Sequence, residues 1–569
     1  MAAPLTVAEA WLALLKARGV DFLFGNAGTD FAPVIEALVR GREAGIPMPE
    51  PVTVTHEHAA VSIAHGYWLA TGRPQAVMVH VNVGTANAVM GLFNAARDRV
   101  PILFTAGRTP LTEEGPLGAR DLPIHWGQDM PDQGGLVRGA CKWTAELLHP
   151  AQLPLLVERA LAIATSPPMG PVYVGLPREI LAMPVDGRVL GPAGLHAASR
   201  PAPDPAAIDE AARLVARAER PLLIAARESG GGRGFDHLLR FAERFAVPVV
   251  EFWPSRLSFP TTHPLHGGFD PAPWLAEADL VLVLDALVPW IPKIAKPRPG
   301  VPVIAIGCDP LFTDTPFRGH RSDLSILADT ALALDALSAA LADRVTGRDD
   351  RLEERRRAIA ARARELREQR LAAARAQAGP PMSPAFVSTV LSEVLAAQPE
   401  EAVVVSELGC LPQVMRLERP GSYFGHSLAG GLGWGLPCAI GLRMARPDAL
   451  VVATVGDGSY IFANPLACHQ FAAAQQAPVL TVVFDNGEWH AVRRTTAMVY
   501  PEGCAVRANV MPFTALAPAP DYRRVVEACG GRAERVEQPA DLRPALERAL
   551  ATLREDGCQV LLDVVVRSG

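Results

Sequence analysis

Asp457 stands between Gly456 and Gly458, with Ser459 next, and Asn486 follows further on between Asp485 and Gly487. These residue types could hold a hard cation together with a phosphate. The glycines let backbone N–H groups approach phosphate oxygens, and an aspartate and an amide oxygen are the donors that Mg²⁺ takes alongside phosphate and water. Each group ends a run with strand character, Ala449–Val455 and Val479–Phe484, and an amphipathic stretch from Asn464 to Gln476 lies between them. The pattern predicts one βαβ unit with both loops at the same end of a parallel sheet. A lone Gly-Asp-Gly is a common turn; the paired asparagine at the end of the next strand gives the pattern its specificity.

With these residues the chain resembles the thiamine-diphosphate-dependent 2-oxo acid decarboxylase and acetolactate synthase superfamily. The resemblance implies that Gly456, Asp457, Gly458, Ser459, Asn486 and Glu488 hold thiamine diphosphate, with Asp457, Asn486 and Glu488 on Mg²⁺. It extends to the N-terminal part, where Phe24-Gly25-Asn26-Ala27-Gly28-Thr29, His56-Glu57-His58-Ala59-Ala60 and Gly84-Thr85-Ala86-Asn87-Ala88 are similar to the pyrimidine-binding segments. Gly28 and Asn87 fall at cofactor-binding positions, and Glu57 is the carboxyl that faces the pyrimidine ring. A carboxyl buried against an aromatic ring has its proton affinity raised, which suits proton sharing. A structural reading of Glu57, as an acid in the first turn of a helix, is the competing one. In Ala429-Gly430-Gly431-Leu432-Gly433, the resemblance makes Leu432 the apolar wedge between the cofactor rings and Gly430 the carbonyl that accepts from the amino group.

Substrate choice rests on fewer residues. His80, in Val79-His80-Val81-Asn82-Val83-Gly84, and Thr29 lie where benzoylformate decarboxylases carry an active-site histidine and a hydroxyl residue. An imidazole there can relay a proton near neutral pH. The second histidine of that family is missing from Leu287-Val288-Pro289-Trp290-Ile291-Pro292-Lys293, so His426 or His490 substitutes for it, or ligation to a second carbonyl compound is favoured. Trp290 and Trp489 are expected to narrow the substrate site, and Gln128 resembles a glutamine near the substrate. Decarboxylation of a 2-oxo acid is the leading expectation, with an acetolactate synthase-like carboligase or a non-catalytic cofactor-binding scaffold as alternatives. Gly230-Gly231-Gly232, flanked by Arg227 and Arg233, resembles a flavin-binding stretch only loosely, so FAD is admitted but not favoured. The chain stops at Gly569 directly after a strand, which argues against a coenzyme A substrate.

The elements that must position these residues read as α/β. Three doubly wound parallel-sheet domains are expected: a pyrimidine-binding domain over 1–190, a central nucleotide-fold-like domain over 206–345 and a diphosphate-binding domain over 381–569. A charged helical linker, 346–380, joins the last two. Thr6-Val7-Ala8-Glu9 is a capping box opening the first helix, further helices are expected over 57–71 and 85–97, and the arginine-rich run Arg351–Ala378 reads as a solvated interdomain helix because glutamates interleave with its arginines. Segments 110–135 and 488–512 are left as pocket walls of undetermined shape.

At 569 residues, 49% hydrophobic and 20% charged, with a net charge of −6, the chain is an ordinary large globular sequence. Nothing in its charge points to nucleic acid or an anionic membrane. No apolar run is long enough to span a bilayer, and the N-terminus lacks a signal pattern, so a cytoplasmic location is expected. Eight cysteines without CxxC spacing read as free thiols, most of them buried. The resemblance implies a homodimer or homotetramer with the active site at the subunit interface and a small 2-oxo acid as substrate.

Overall fold

The computed structural model describes residues 5–227, 233–347 and 349–568. It contains three six-stranded sheets, each all parallel. The first holds β1 (Phe22–Asn26), β2 (Glu50–Thr53), β3 (Gln75–Val79), β4 (Ile102–Arg108), β5 (Thr144–Glu146) and β6 (Val172–Pro177), in the order β2-β1-β3-β4-β6-β5. The second holds β7 (Pro221–Ala225), β8 (Val249–Glu251), β9 (His266–Gly268), β10 (Leu280–Leu284), β11 (Val303–Gly307) and β12 (Leu324–Leu327), in the order β12-β11-β10-β7-β8-β9. The third holds β13 (Ala402–Glu407), β14 (Tyr423–Gly425), β15 (Leu450–Gly456), β16 (Leu480–Asp485), β17 (Arg532–Val536) and β18 (Val560–Val565), in the order β14-β13-β15-β16-β18-β17.

The first and third sheets therefore share one strand order, and the middle sheet has the dinucleotide-type order. In all three, the order reverses beside the first strand of the sheet. Such reversals open a crevice at the carboxyl ends of two neighbouring strands, where open α/β sheets bind ligands. The crevices fall between β1 and β3, between β7 and β10, and between β13 and β15.

The central strands are fully buried because helices cover both faces, which is why they read as unbroken apolar runs. The expected capping box is present: Thr6 N donates to Glu9 Oε2 (2.7 Å) and Glu9 N donates to Thr6 Oγ1 (3.2 Å). Helices Glu57–Thr71 and Gly435–Ala445 join the first sheet to the third and share one continuous core. They meet backbone to backbone. A Cβ at Gly66 would lie 1.9 Å from the Cys438 carbonyl oxygen, and one at Gly441 would lie 2.0 Å from that of Ile63.

Two expectations about elements need correction. The helix after β3 starts at Val81 and runs to Arg97, four residues earlier than the glycine at position 84 suggested. The charged helix, Asp349–Ala376, is not simply solvated: Arg355 donates to the Ala218 and Phe245 carbonyls, Arg362 to Pro273 O and Arg367 to Thr261 O, and Ile359 and Ala363 are buried. Its arginines satisfy backbone carbonyls of the middle layer with their heads while their stems cover apolar surface. The eight cysteines are free thiols; three are buried, four half-buried and one exposed, so burial is less general than expected. No helix among the described residues is long and apolar enough to cross a membrane.

Candidate active site

The crevice between β1 and β3 gathers one group of the expected residues. Glu57 opens its helix in the first turn, half-buried, and Asn87 Nδ2 donates to its Oε2 (2.6 Å). Its other oxygen faces Gly84, where a Cβ would come within 3.3 Å, so the glycine keeps that side open. His80 caps the helix that follows β3, and its ring lies over Gly28; a Cβ there would stand 2.1 Å from His80 Nδ1. Gly28 thus serves to admit the imidazole.

His80 Nδ1 is 2.5 Å from Asp30 Oδ1, and Gln128 Nε2 is 3.1 Å from His80 Nε2. Asp30 is buried, and the end of β4 leaves room for it at Gly107, where a Cβ would meet Asp30 Oδ2 at 1.8 Å. The hydrogen bond from Asp30 raises the His80 pKa above its ordinary value against the effect of burial, and Glu57 adds to the rise from close by. The Gln128 amide suits both protonation states. As placed, its NH₂ donates to a neutral Nε2; turned over, it presents Oε1, a buried atom with no hydrogen-bond partner, to a protonated one. Val81, directly after His80, holds φ at +30°, a strained value for a β-branched residue, with its N–H 3.4 Å from Asp30 Oδ2. Backbone strain is thus held directly beside the histidine.

Thr29 Oγ1 is 3.4 Å from His125 Nε2. His125 Nδ1 accepts from the N–H groups of Asp121 and Leu122, so Nε2 carries the proton and donates to the threonine. Burial and the nearby Arg178 lower the His125 pKa, which keeps the ring neutral. Arg178 donates to the carbonyls of Gly118 and Ala119 and binds this 110–135 wall to the first sheet.

The crevice between β13 and β15 gathers the second group. Asp457 Oδ1 accepts from Gly458 N (2.8 Å) and Oδ2 from Gly487 N (2.7 Å), so the two expected loops are joined through this carboxylate. Burial pushes its pKa up to about 6, with Asp485 adding to the rise. Asn486 Oδ1 accepts from Glu488 N (3.0 Å), the Glu488 carbonyl accepts from His490 N (2.8 Å), and the Glu488 carboxylate lies beside His490 (3.4 Å) and Arg493 (3.7 Å). Ser459 Oγ is buried without a partner. A buried carboxylate facing a second one, an amide oxygen and an unpaired hydroxyl form an oxygen-only donor set that fits a hard cation and a diphosphate. Among the described residues no three His, Cys, Asp or Glu side chains cluster as a metal site.

Glu407, which the sequence reading missed, ends β13 in full burial. It accepts from Gly433 N (2.6 Å) and from Gly435 N, fixing the loop that carries Gly430 and Leu432. Burial pushes its pKa up to about 7. From the first layer, Asn94 grips the same loop at Gly431, donating to its carbonyl (2.8 Å) and accepting from its N–H (3.1 Å). Gly430 is exposed and Leu432 half-buried. Trp489 lies on Gly458, where a Cβ would come within 2.4 Å of its ring. His426 packs edge-on against Trp253 of the middle layer and is held neutral by burial. Trp290 is a correction: it is buried in the middle core against His320 and does not reach the site.

Three family models match in sequence order: the thiamine pyrophosphate enzyme N-terminal TPP binding domain over residues 5–136, the central domain over 208–337 and the C-terminal TPP binding domain over 407–564. The chain belongs to the thiamine pyrophosphate enzymes. Benzoylformate decarboxylase of Pseudomonas aeruginosa is 28% identical over 570 aligned positions, covering 96% of this chain and 97% of that protein. A probable acetolactate synthase large subunit of Methanocaldococcus jannaschii is 26% identical, covering 98% of this chain and 91% of that protein. Among solved structures, a Rhodococcus jostii RHA1 thiamine diphosphate-dependent 4-hydroxybenzoylformate decarboxylase superposes with a TM-score of 0.77 at 24% identity, covering 99% of each chain, which supports the fold.

In this thiamine pyrophosphate enzyme, two residues that sequence reasoning passed over had a signal. Asp30 directly follows Thr29, and Glu407 ends an apolar strand as Asp457 follows another. Of the stretch compared with a flavin site, Arg227 is buried and donates to Asp285 and to the Arg97 carbonyl, while Gly230–Gly232 lie outside the described residues.

Proposed function

We propose that this enzyme decarboxylates a 2-oxo acid of the benzoylformate type, with thiamine diphosphate and Mg²⁺, as a homodimer or homotetramer in the cytoplasm. The observation that carries the reading is the Asp30–His80–Gln128 array beside Thr29 and Glu57, at the strand-order reversal of the first sheet. Bound thiamine diphosphate supplies the electron sink for cleaving the bond to the carboxylate. Glu57, steadied by Asn87, would hold the pyrimidine and share a proton with it. Asp457, Asn486 and Glu488 would hold the cation, Ser459 would donate to the diphosphate, and Gly430 and Leu432 would hold the pyrimidine end. Thr29, aimed by His125, donates to the substrate carboxylate. His80 holds a proton at Nε2 and delivers it to the product carbon, with Asp30 stabilising the charged ring and Gln128 following the change of state. His426, neutral, stands on the far wall with Trp253.

Support for the assembly is physical. Within one chain, no hydrogen bond or ion pair among the described residues joins Glu57, Asn87 or His80 to Asp457, Asn486 or Glu488. The walls carry bare apolar groups that a second copy would cover, among them Val83, Leu408, Leu428 and Val492. A carboligase reading remains as the second one because the segment 287–293 offers no histidine and its tryptophan is withdrawn into the core.

The test is CO₂ release and product identity by NMR, with thiamine diphosphate and Mg²⁺, over benzoylformate, a branched 2-oxo acid, 2-oxobutyrate and pyruvate, with Glu57→Gln as control. An aryl aldehyde from benzoylformate is the expected product. A ligation product from pyruvate moves the assignment to a synthase, and turnover that ignores Glu57→Gln sinks the mechanism.

A further inference from the structure

A cavity of about 250 Å³ lies away from all three crevices. It opens between β9, the edge strand of the middle sheet, the Asp349–Ala376 helix, and Gln413 of the third layer. Three arginines three residues apart, Arg364, Arg367 and Arg370, lie on one face of that helix and line it. No carboxylate lines it. The nearby acids are turned to other partners: Glu243 to His263, Glu251 to His266, and Glu418 to Thr262 and Arg416, while Asp270 acts on Arg370 only at longer range.

Arg367 uses one N–H on the Thr261 carbonyl, and Arg364 and Arg370 make no ion pair or hydrogen bond among the described residues. Gly268 holds φ at +95°, and a Cβ there would stand 2.4 Å from Arg370 Nη1, so the strand end is shaped to let the guanidinium lie on it. Gln413 Oε1 is a buried acceptor with no partner. Phe269, Pro264, Ala360 and Ala363 supply an apolar wall. At about 30 Å³ per water-sized unit, the space holds about eight such units.

We infer that this cavity is a binding site for a small oxyanion carried on a planar apolar body, a phosphate or carboxylate on a ring, with the anion on Arg364 and Arg370 and the ring on Phe269. Guanidinium forks match such oxyanions in pairs of hydrogen bonds. The occupant bridges the middle sheet, the linker helix and the third layer. Thr261 already ties these layers, donating from Oγ1 to Met415 O and accepting from Leu417 N. A ligand here therefore stabilises the assembled chain without touching the catalytic groups.

The experiment is calorimetric titration of the enzyme, loaded with thiamine diphosphate and Mg²⁺ so that the diphosphate site is filled, with phenyl phosphate and separately with inorganic phosphate. Phenyl phosphate is expected to bind more tightly than inorganic phosphate, and Arg364→Gln with Arg370→Gln to weaken it at least tenfold. Arg370→Lys alone should keep part of the affinity, and the unliganded variants should melt as the parent does. Equal affinity of the double variant, equal affinity for the two probes, or no binding at millimolar phenyl phosphate overturns the proposal.

Discussion

Replacing Asp30 with asparagine isolates the charge that sets His80. The amide oxygen can still accept from Nδ1–H, so the ring keeps its orientation while the ion pair at 2.5 Å is lost. A hydrogen bond to a charged group contributes about 1.5–3 kcal/mol, and a pKa unit corresponds to about 1.4 kcal/mol. The His80 side chain is 18% exposed and Asp30 3%, so partial screening favours the lower end, and the His80 pKa should fall. The sign follows from the raised folded value. The pair's stabilisation is complete below the unfolded imidazole pKa of about 6.5 and is lost as pH rises through the folded one. The assay is the pH profile of kcat/KM from pH 5 to 9, with urea unfolding at pH 6 and pH 9. In Asp30→Asn the limb that reports His80 should move toward acid, and the stability deficit should be larger at pH 6 than at pH 9. A limb that stays in place, or a deficit equal at both pH values, refutes the claim that Asp30 sets the charge on His80.

Three further outcomes follow from the geometry. Gly441→Ala forces its methyl into the Ile63 carbonyl and should cost about 2 kcal/mol or more in urea unfolding, whereas Gly430→Ala, with open space around it, should cost less despite its positive φ. Asn94→Ala removes both bonds to Gly431; thiamine diphosphate should then bind about tenfold more weakly, read by titrating the apoenzyme, while the Glu57 side of the site is unchanged. Glu407, with a pKa raised to about 7 by burial, makes the folded chain bind a proton that the unfolded chain has released above about pH 4.3. Stability should therefore fall as pH rises from 5 to 7. Glu407→Gln should flatten that slope in cofactor-free protein; an unchanged slope would mean that the carboxyl is ionised throughout.

Much of the site was legible because its parts are local. The Gly-Asp-Gly and Asp-Asn-Gly loops each end an apolar strand, so strand pattern and turn chemistry agree on where the phosphate end must be, and Glu57 follows a strand in the same way. Trp290 misled because an aromatic residue flanked by prolines reads alike in a pocket wall and in a core; only the fold shows its burial against His320. The arginine-rich helix misled for a related reason. Charge periodicity shows that a face is polar but not that guanidinium groups will find backbone carbonyls such as those of Ala218 and Phe245.

The residues that stayed hidden share one geometric cause. The first and third sheets have the same strand order, and in each a carboxylate at or just after the end of the first strand ties down a loop from elsewhere in the domain. Asp30 reaches His80, 50 residues on, and Glu407 reaches Gly433, 26 residues on. Neither separation matches a helical or strand period, so no local pattern could pair them; the reversal in strand order does. The two carboxylates then part in chemistry through what surrounds them. Asp30 meets an imidazole at a partly open crevice and stabilises its charge, whereas Glu407 meets only backbone N–H groups in full burial and is driven toward its neutral form. One topology thus supplies a paired imidazole on the first sheet and a fixed loop on the third. On this account, exchanging their roles by opening the Glu407 site to water would lower its pKa without creating a second acid for the reaction.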